Sequence, residues 1–238
     1  MARHHLGLPL LRGTLERYAE RYDLLEVHFD AGPVPKPNTL RGWRKKVPPA
    51  FVFSVVMPRV VSELKPCAEL DAALTQANAA ALALEARCVL IPTPPSVTPT
   101  EANRKRLAAL VERIPHDAVT IGWEPHGVWE VEEAAKLAHK LGVVLVVDPA
   151  KEAAPPGPIA YFRLRGLGET SRLSPAALER VADELRDRRE AYVIIESTGP
   201  VAVAVALRKH LAKRGASPRM PGAVLRPRTT LHAEDEEQ

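Results

Sequence analysis

The stretch Tyr22–Arg59, YDLLEVHFDAGPVPKPNTLRGWRKKVPPAFVFSVVMPR, decides the fold. Leu24, Leu25 and Val27 form a short apolar run around Glu26; His28 and Asp30 follow, and then Gly32 and nearby prolines break it. Thr39 to Lys46 is long enough for a short helix with Leu40 and Trp43 on one face, and Pro48-Pro49 stops it. Phe51, Val52, Phe53, Val55 and Val56 then make a second apolar run of strand length. Two strands joined through a helix pair in parallel by a right-handed crossover. Polar residues bunched behind the first strand place a candidate site at its carboxyl end.

The same rhythm extends in both directions. Residues 4–10, HHLGLPL, make a weak first strand, and Leu15, Tyr18, Ala19 and Tyr22 carry a helix from Thr14 onward. Downstream, an alanine-rich helix spans Ala68–Leu84, and strand four, Cys88–Ile91, ends in PTPPSVTP. Thr100 caps a helix to Arg113. Strand five is Val119–Trp123, leading into EPHGVW, and Gly142 closes the helix Glu130–Leu141. Val143–Val147 is strand six, after which PAKEAAPPGP takes the place of a helix. Ile159–Leu164 is strand seven, Ser174-Pro175 opens a helix to Arg189, Tyr192–Ile195 is strand eight, and a last helix covers Val201–Lys213. Eight strands alternating with helices predict an α/β fold, a single (β/α)8 barrel over 1–214 with an irregular first strand and a missing or shortened helix after strand six, followed by an irregular tail over 215–238. An open doubly wound sheet is the competitor, but no glycine-rich phosphate loop follows any strand.

The bulk properties narrow the class. The 238 residues are 46% hydrophobic, enough for a sizeable core, and the formal charge is only +4. Two cysteines, Cys67 and Cys88, make neither a disulfide framework nor a metal knuckle. No apolar run approaches the ~20 residues of a membrane span, so a cytoplasmic protein with no membrane partner is expected. Glycine is scarce (13) and proline plentiful (23), a composition of stiff loops.

The series EVHFDAG (26–32), the helix Pro37-x-Thr39-Leu40-x-x-Trp43 and VPPAFVFSVVMPR (47–59) resemble the YecE-like barrels, domain-of-unknown-function family 72. PTPPS (92–96), His126 with Trp129, and YFRLRG (161–166) match later pieces in order, so the likeness runs from about Leu15 to Leu211. It implies a TIM-type barrel without an established activity. The mouth departs from the family pattern. Val56 stands where members have a lysine, His28 for an asparagine, Pro92 for a glutamine, Pro125 for an arginine, Arg165 for a histidine, and Glu196-Ser197 for a paired asparagine. The family's N-terminal Gly-Thr-Ser-Gly-Trp segment is missing.

Working residues of such barrels sit at the carboxyl ends of strands. Here these are Glu26, His28, Asp30, Glu124, His126, Asp148 and Glu196 as acid/base candidates, with Arg59, Arg163 and Arg165 as an anion clamp and Trp123 as a stacking surface. The carboxylates and imidazoles suit either a divalent metal that activates water or a metal-free acid/base pair, and ion pairing with the arginines is the structural alternative. The expected ligand is a small anionic, phosphorylated or sugar-like molecule. A second class of function, nucleic-acid binding, rests on Arg208–Arg228, which holds seven Lys/Arg and no acid; it lacks interleaved aromatics for stacking. A third is a degenerate barrel acting as a scaffold for protein contacts.

Overall fold

The computed structural model describes residues 2–30, 34–115, 119–166 and 172–214; the expected tail, most of the basic segment and His116 lie outside them. In chain order the elements are β1 (Arg3–Leu8), α1 (Leu15–Ala19), β2 (Leu24–Val27), α2 (Pro37–Lys45), β3 (Val52–Val56), α3 (Arg59–Ser62), α4 (Leu70–Leu84), β4 (Cys88–Thr93), α5 (Glu101–Glu112), β5 (Thr120–Pro125), α6 (Val131–Leu141), β6 (Val144–Val147), β7 (Ile159–Leu164), α7 (Pro175–Arg186), β8 (Glu190–Ile195) and α8 (Pro200–Arg214). The eight strands form a closed parallel barrel in sequential order, each paired with its neighbours and β1 with β8.

Local chemistry sets the element ends. Thr14, Thr100 and Ser174 each accept a backbone N–H of the first turn they precede, satisfying a donor that has no acceptor within the helix. Gly142 ends α6 in the left-handed region at φ 67°. The loop 149–158 carries no helix, as its prolines predict. α3 is a single turn that the sequence reading missed, because a four-residue helix is too short for a periodic signal.

The expectation of an irregular β1 is corrected: all six residues are in strand, and Arg3 to Gly7 pair with Glu190 to Ile194 of β8. Its weak pattern has two causes. Arg3 and His5 lie in register with Glu190 and Tyr192 at the amino-terminal end of the barrel, so polar residues occupy positions that are apolar in other strands. Gly7 is required because a Cβ there would lie 1.9 Å from the Leu24 carbonyl oxygen. Beside it, the buried Tyr18 hydroxyl accepts from the Leu8 N–H (2.7 Å) and donates to the Leu24 carbonyl (2.6 Å), bridging β1 and β2 where their ladder is short.

Strand alternation sorts the core into two bodies. Leu24, Val52, Val56, Cys88, Leu90, Val146, Tyr161, Tyr192 and Ile194 pack inside the barrel. The intervening Leu25, Phe53, Val55, Val89, Ile91, Trp123, Phe162 and Val193 pack outward under the helices. Gly122 makes room inside: a Cβ there would meet Val146, Tyr161 and Leu90 at 3.2–3.4 Å.

Candidate functional site

Because side chains alternate, the inward set that begins with Tyr161 on β7 continues as Arg163 and then Arg165 at its carboxyl end. The same parity sends Glu26 on β2, Glu124 on β5 and Glu196 after β8 toward the axis, where all three meet Arg163. Its Nη2 lies 2.6 Å from Glu26 Oε1, its Nη1 pairs with Glu196 Oε1, and its Nε lies 3.2 Å from Glu124 Oε2 without an aligned hydrogen bond. Arg163 is 4% exposed, and Glu26 and Glu124 are buried with it. Arg165 forms an upper layer, pairing with Glu124 Oε1 and holding Glu196 Oε2 at 3.0 Å through Nε. Two guanidinium groups are thus interleaved with three carboxylates at the barrel mouth.

Glu26 is the deepest member. It accepts from the Tyr161 hydroxyl at 2.5 Å as well as from Arg163, and the His28 Nε2 lies 3.4 Å from its other oxygen. Ser54 Oγ, 3.1 Å from the Tyr161 oxygen, extends the chain of contacts inward. Burial alone pushes the Glu26 carboxyl up, but Arg163, His28 and Tyr161 together hold it below the usual carboxylate range. The Tyr161 phenol moves far upward, through burial first and the Glu26 charge second, and stays a donor. Arg163 is raised by its carboxylates despite burial, so the guanidinium is a fixed cation.

His126 stands against Glu124 much as His28 stands against Glu26, with Nε2 3.8 Å from Glu124 Oε1. Both imidazoles are partly open to solvent, and the glutamates behind them are not. β2 and β5 lie apart in the barrel order, so each imidazole–glutamate pair approaches the arginines from its own side of the mouth.

Other expected site residues are placed elsewhere or occupied otherwise. Asp148 is buried and turned to its own loop, accepting from the backbone N–H of Ala150 at 3.1 Å and of Arg165 at 3.2 Å, with Lys151 Nζ 3.7 Å away. It fixes the β6 exit and the start of the loop after β7. Arg59 does not join the clamp: it begins α3, and its 79% exposed side chain pairs with Glu63 at 2.8 Å. Asp30 accepts the Arg59 backbone N–H at 2.9 Å rather than sharing a face with Glu26, because β2 ends at Val27. Trp123 offers no stacking surface: it is 0% exposed, faces outward and donates to Thr93 Oγ1 at 3.0 Å. Trp129 packs edge-on against it and donates to the Val97 carbonyl. His4 and His5 are at the opposite end of the barrel; His4 contacts the Leu185 carbonyl, and His5 lies buried beside Glu190.

Sequence reasoning missed Tyr161 and Ser54, although the alternation through Arg163 and Arg165 already placed Tyr161 on their face. It also missed a second ionic cluster at the amino-terminal end. There Glu190 pairs with Arg87 (2.9 Å) and Arg3 (3.3 Å) and accepts from Tyr192 (2.9 Å). Among the described residues no group of three or more His, Cys, Asp or Glu side chains is arranged to hold a metal ion. At the mouth the glutamate oxygens converge on Arg163, so a divalent ion bound to all three would have to displace its guanidinium.

Residues 6–227 match the family model described as a protein of unknown function, DUF72. A DUF72 family protein from Enterococcus faecalis V583 is similar in structure at 18% identity, with a TM-score of 0.70 over 93% of this chain and 99% of that one. Another, from Thermotoga maritima MSB8, gives 19% identity and a TM-score of 0.67 over 88% and 99%. D-psicose 3-epimerase with D-tagatose, from Clostridium cellulolyticum H10, shares the fold at 9% identity and a TM-score of 0.60 over 90% and 98%. No curated protein matches the chain. No helix among the described residues is long and apolar enough to cross a membrane.

Proposed function

The chain belongs to the DUF72 family, and on that footing we propose that its barrel mouth performs acid/base chemistry on a small sugar-like or anionic substrate. The observation that carries this reading is the pair of imidazole–glutamate contacts, His28 with Glu26 and His126 with Glu124, set around a common arginine centre. A buried carboxylate behind an imidazole orients the ring for proton transfer. Two such groups, one on each side, supply a base to remove a proton and an acid to return one. Arg165, the more open of the two arginines, is placed to meet an oxygen of the substrate on which charge develops. Arg163 is enclosed by carboxylates, so its work is to hold Glu26, Glu124 and Glu196 in place.

Solvent-deuterium exchange tests this. The protein is incubated in D2O with a panel of ketohexoses and phosphorylated hydroxyketones, and loss of carbon-bound protons is followed by NMR. Exchange into at least one member is expected, falling by about 10²–10⁴ in His28→Ala or His126→Ala. Exchange that survives both substitutions removes the histidines from the reaction.

The saturation of the glutamates by arginine favours a second reading, a barrel kept as an interaction scaffold with an ionic plug in its mouth. Absence of exchange and of binding across the panel would support it. Nucleic-acid binding draws less support from the described part of the basic segment, since Arg208 is committed to Asp23 and to the Arg21 carbonyl.

A further inference from the structure

We propose that the cleft between α1 and the amino terminus of α8 binds a phosphate monoester. This cleft, of about 950 Å³, shares no lining residue with the mouth cluster and goes beyond the acid/base reading.

Its cations are Arg12, Arg17 and Arg21, and its one lining carboxylate is Glu20. Among the described residues none of these three guanidinium groups has an ion pair or a side-chain hydrogen bond. Elsewhere the arginines are mostly spent: Arg3, Arg59, Arg87, Arg104, Arg113, Arg163, Arg165, Arg186, Arg188 and Arg208 each face a carboxylate. Arg17 lies in α1 and Arg21 two residues past its end, so the cleft wall carries net charge of one sign. An unbalanced cation set of this kind is relieved by an anion.

Two further donors line the same cleft. Tyr22 is 4% exposed, and its hydroxyl has no hydrogen-bond partner among the described residues. A buried, unmatched hydroxyl is unfavourable unless something accepts from it. Burial raises the Tyr22 phenol while Arg12, Arg21 and Arg208 pull it down, so the field of these arginines reaches that hydroxyl. Arg208 itself is held by Asp23 at 2.7 Å, which leaves Arg12 and Arg21 for a ligand. The second donor set is the first turn of α8. Val201 and Ala202 border the cleft, and amides at the start of a helix lack acceptors within it; the positive end of a 15-residue helix favours an anion there. Leu8, Tyr18 and Pro200 add apolar wall, and the volume exceeds that of a bare phosphate, so a phosphate on a small organic body suits it better.

Calorimetric titration of the full chain with phenyl phosphate and with inorganic phosphate, at fixed ionic strength, tests the site. Saturable one-to-one binding is expected, tighter for phenyl phosphate, with Kd below about 1 mM. Arg12→Ala and Arg17→Ala, both at exposed positions, should each weaken it tenfold or more. Tyr22→Phe should weaken it several-fold while leaving the melting temperature of the free protein unchanged or higher, because the hydroxyl it removes has no partner to lose. Absence of saturable binding to both probes overturns the proposal, as does wild-type affinity in the Arg12→Ala/Arg17→Ala double variant. Equal weakening by Arg186→Ala, on a distant helix, would reduce the effect to net charge and overturn it too.

Discussion

Replacing Arg163 with methionine keeps most of the side-chain volume and deletes the charge at the centre of the mouth. Glu26, fully buried, would then lose the guanidinium 2.6 Å from its carboxylate, and Glu124 would lose the one 3.2 Å away. Removing one member of a buried ion pair costs about 3–5 kcal/mol, because the partner stays charged without compensation. For a chain of this size each kcal/mol lowers the melting temperature by roughly 2–4 °C, so a fall of roughly 6–20 °C is expected at pH 7.5. The effect has a definite pH dependence. In the native protein the Glu26 carboxyl is held below its ordinary value of 4.5, so its favourable contribution is present above that value and lost as pH falls through the depressed one. In Arg163→Met the depressing charge is gone, and burial raises the same carboxyl. The deficit is then full at pH 7.5 and shrinks toward pH 5 as Glu26 takes up a proton. Urea melts of the native chain, Arg163→Met, Glu26→Gln and the double variant at both pH values read this out, and the double variant should recover part of the loss. A deficit under about 1 kcal/mol at pH 7.5, or one equal at both pH values, would refute the argument that an enclosed, ionised Glu26 depends on Arg163.

Tyr18→Phe should cost about 2 kcal/mol or more in urea melts, since it strands the Leu8 N–H and the Leu24 carbonyl between two strands. Gly7→Ala should reach or exceed the ~1–3 kcal/mol typical of overpacking, because the added Cβ meets backbone that cannot move aside; loss of soluble expression or a collapsed melting temperature would show it. Ser174→Ala removes the cap on the first turn of α7 and should cost about 1 kcal/mol, with Ser174→Thr recovering most of it.

The barrel was legible because seven of its strands carry apolar runs bounded by prolines, glycines or caps, and those signals are local. β1 was the exception for a tertiary reason: its inward positions, Arg3 and His5, match Glu190 and Tyr192 on a strand at the far end of the chain. At the mouth, Glu26, Glu124, Arg163, Arg165 and Glu196 could be placed from strand ends alone, yet which of them meet could not, since those contacts span 31 to 137 positions of chain. Trp123 was misread although the pattern contained the correction: if Glu124 faces the axis, its neighbour must face out. Arg59 failed differently, lying three residues past the end of β3, where the parity of the strand no longer governs direction. Arg12, Arg17 and Arg21, in and around α1, carried no motif. They became visible only when the other arginines had been matched to carboxylates.

The ladder between β1 and β8 joins Arg3 to Glu190, the first strand of the barrel to its last. During synthesis from the amino terminus, β1 emerges first and its β8-facing edge waits for the last strand. Until Glu190–Ile195 clears the ribosome, β1 and β7 each present an unpaired edge of the kind on which chains stick to one another. At translation rates of ≈ 5–20 residues per second that interval lasts on the order of ten seconds. Arg3 and His5 give the waiting edge polar character, and the buried Glu190 they eventually meet is delivered at the first position of the closing strand. The ionic cluster at the foot of the barrel is thereby a latch that engages last, and a ribosome stalled before residue 190 would leave a sheet with two open sides.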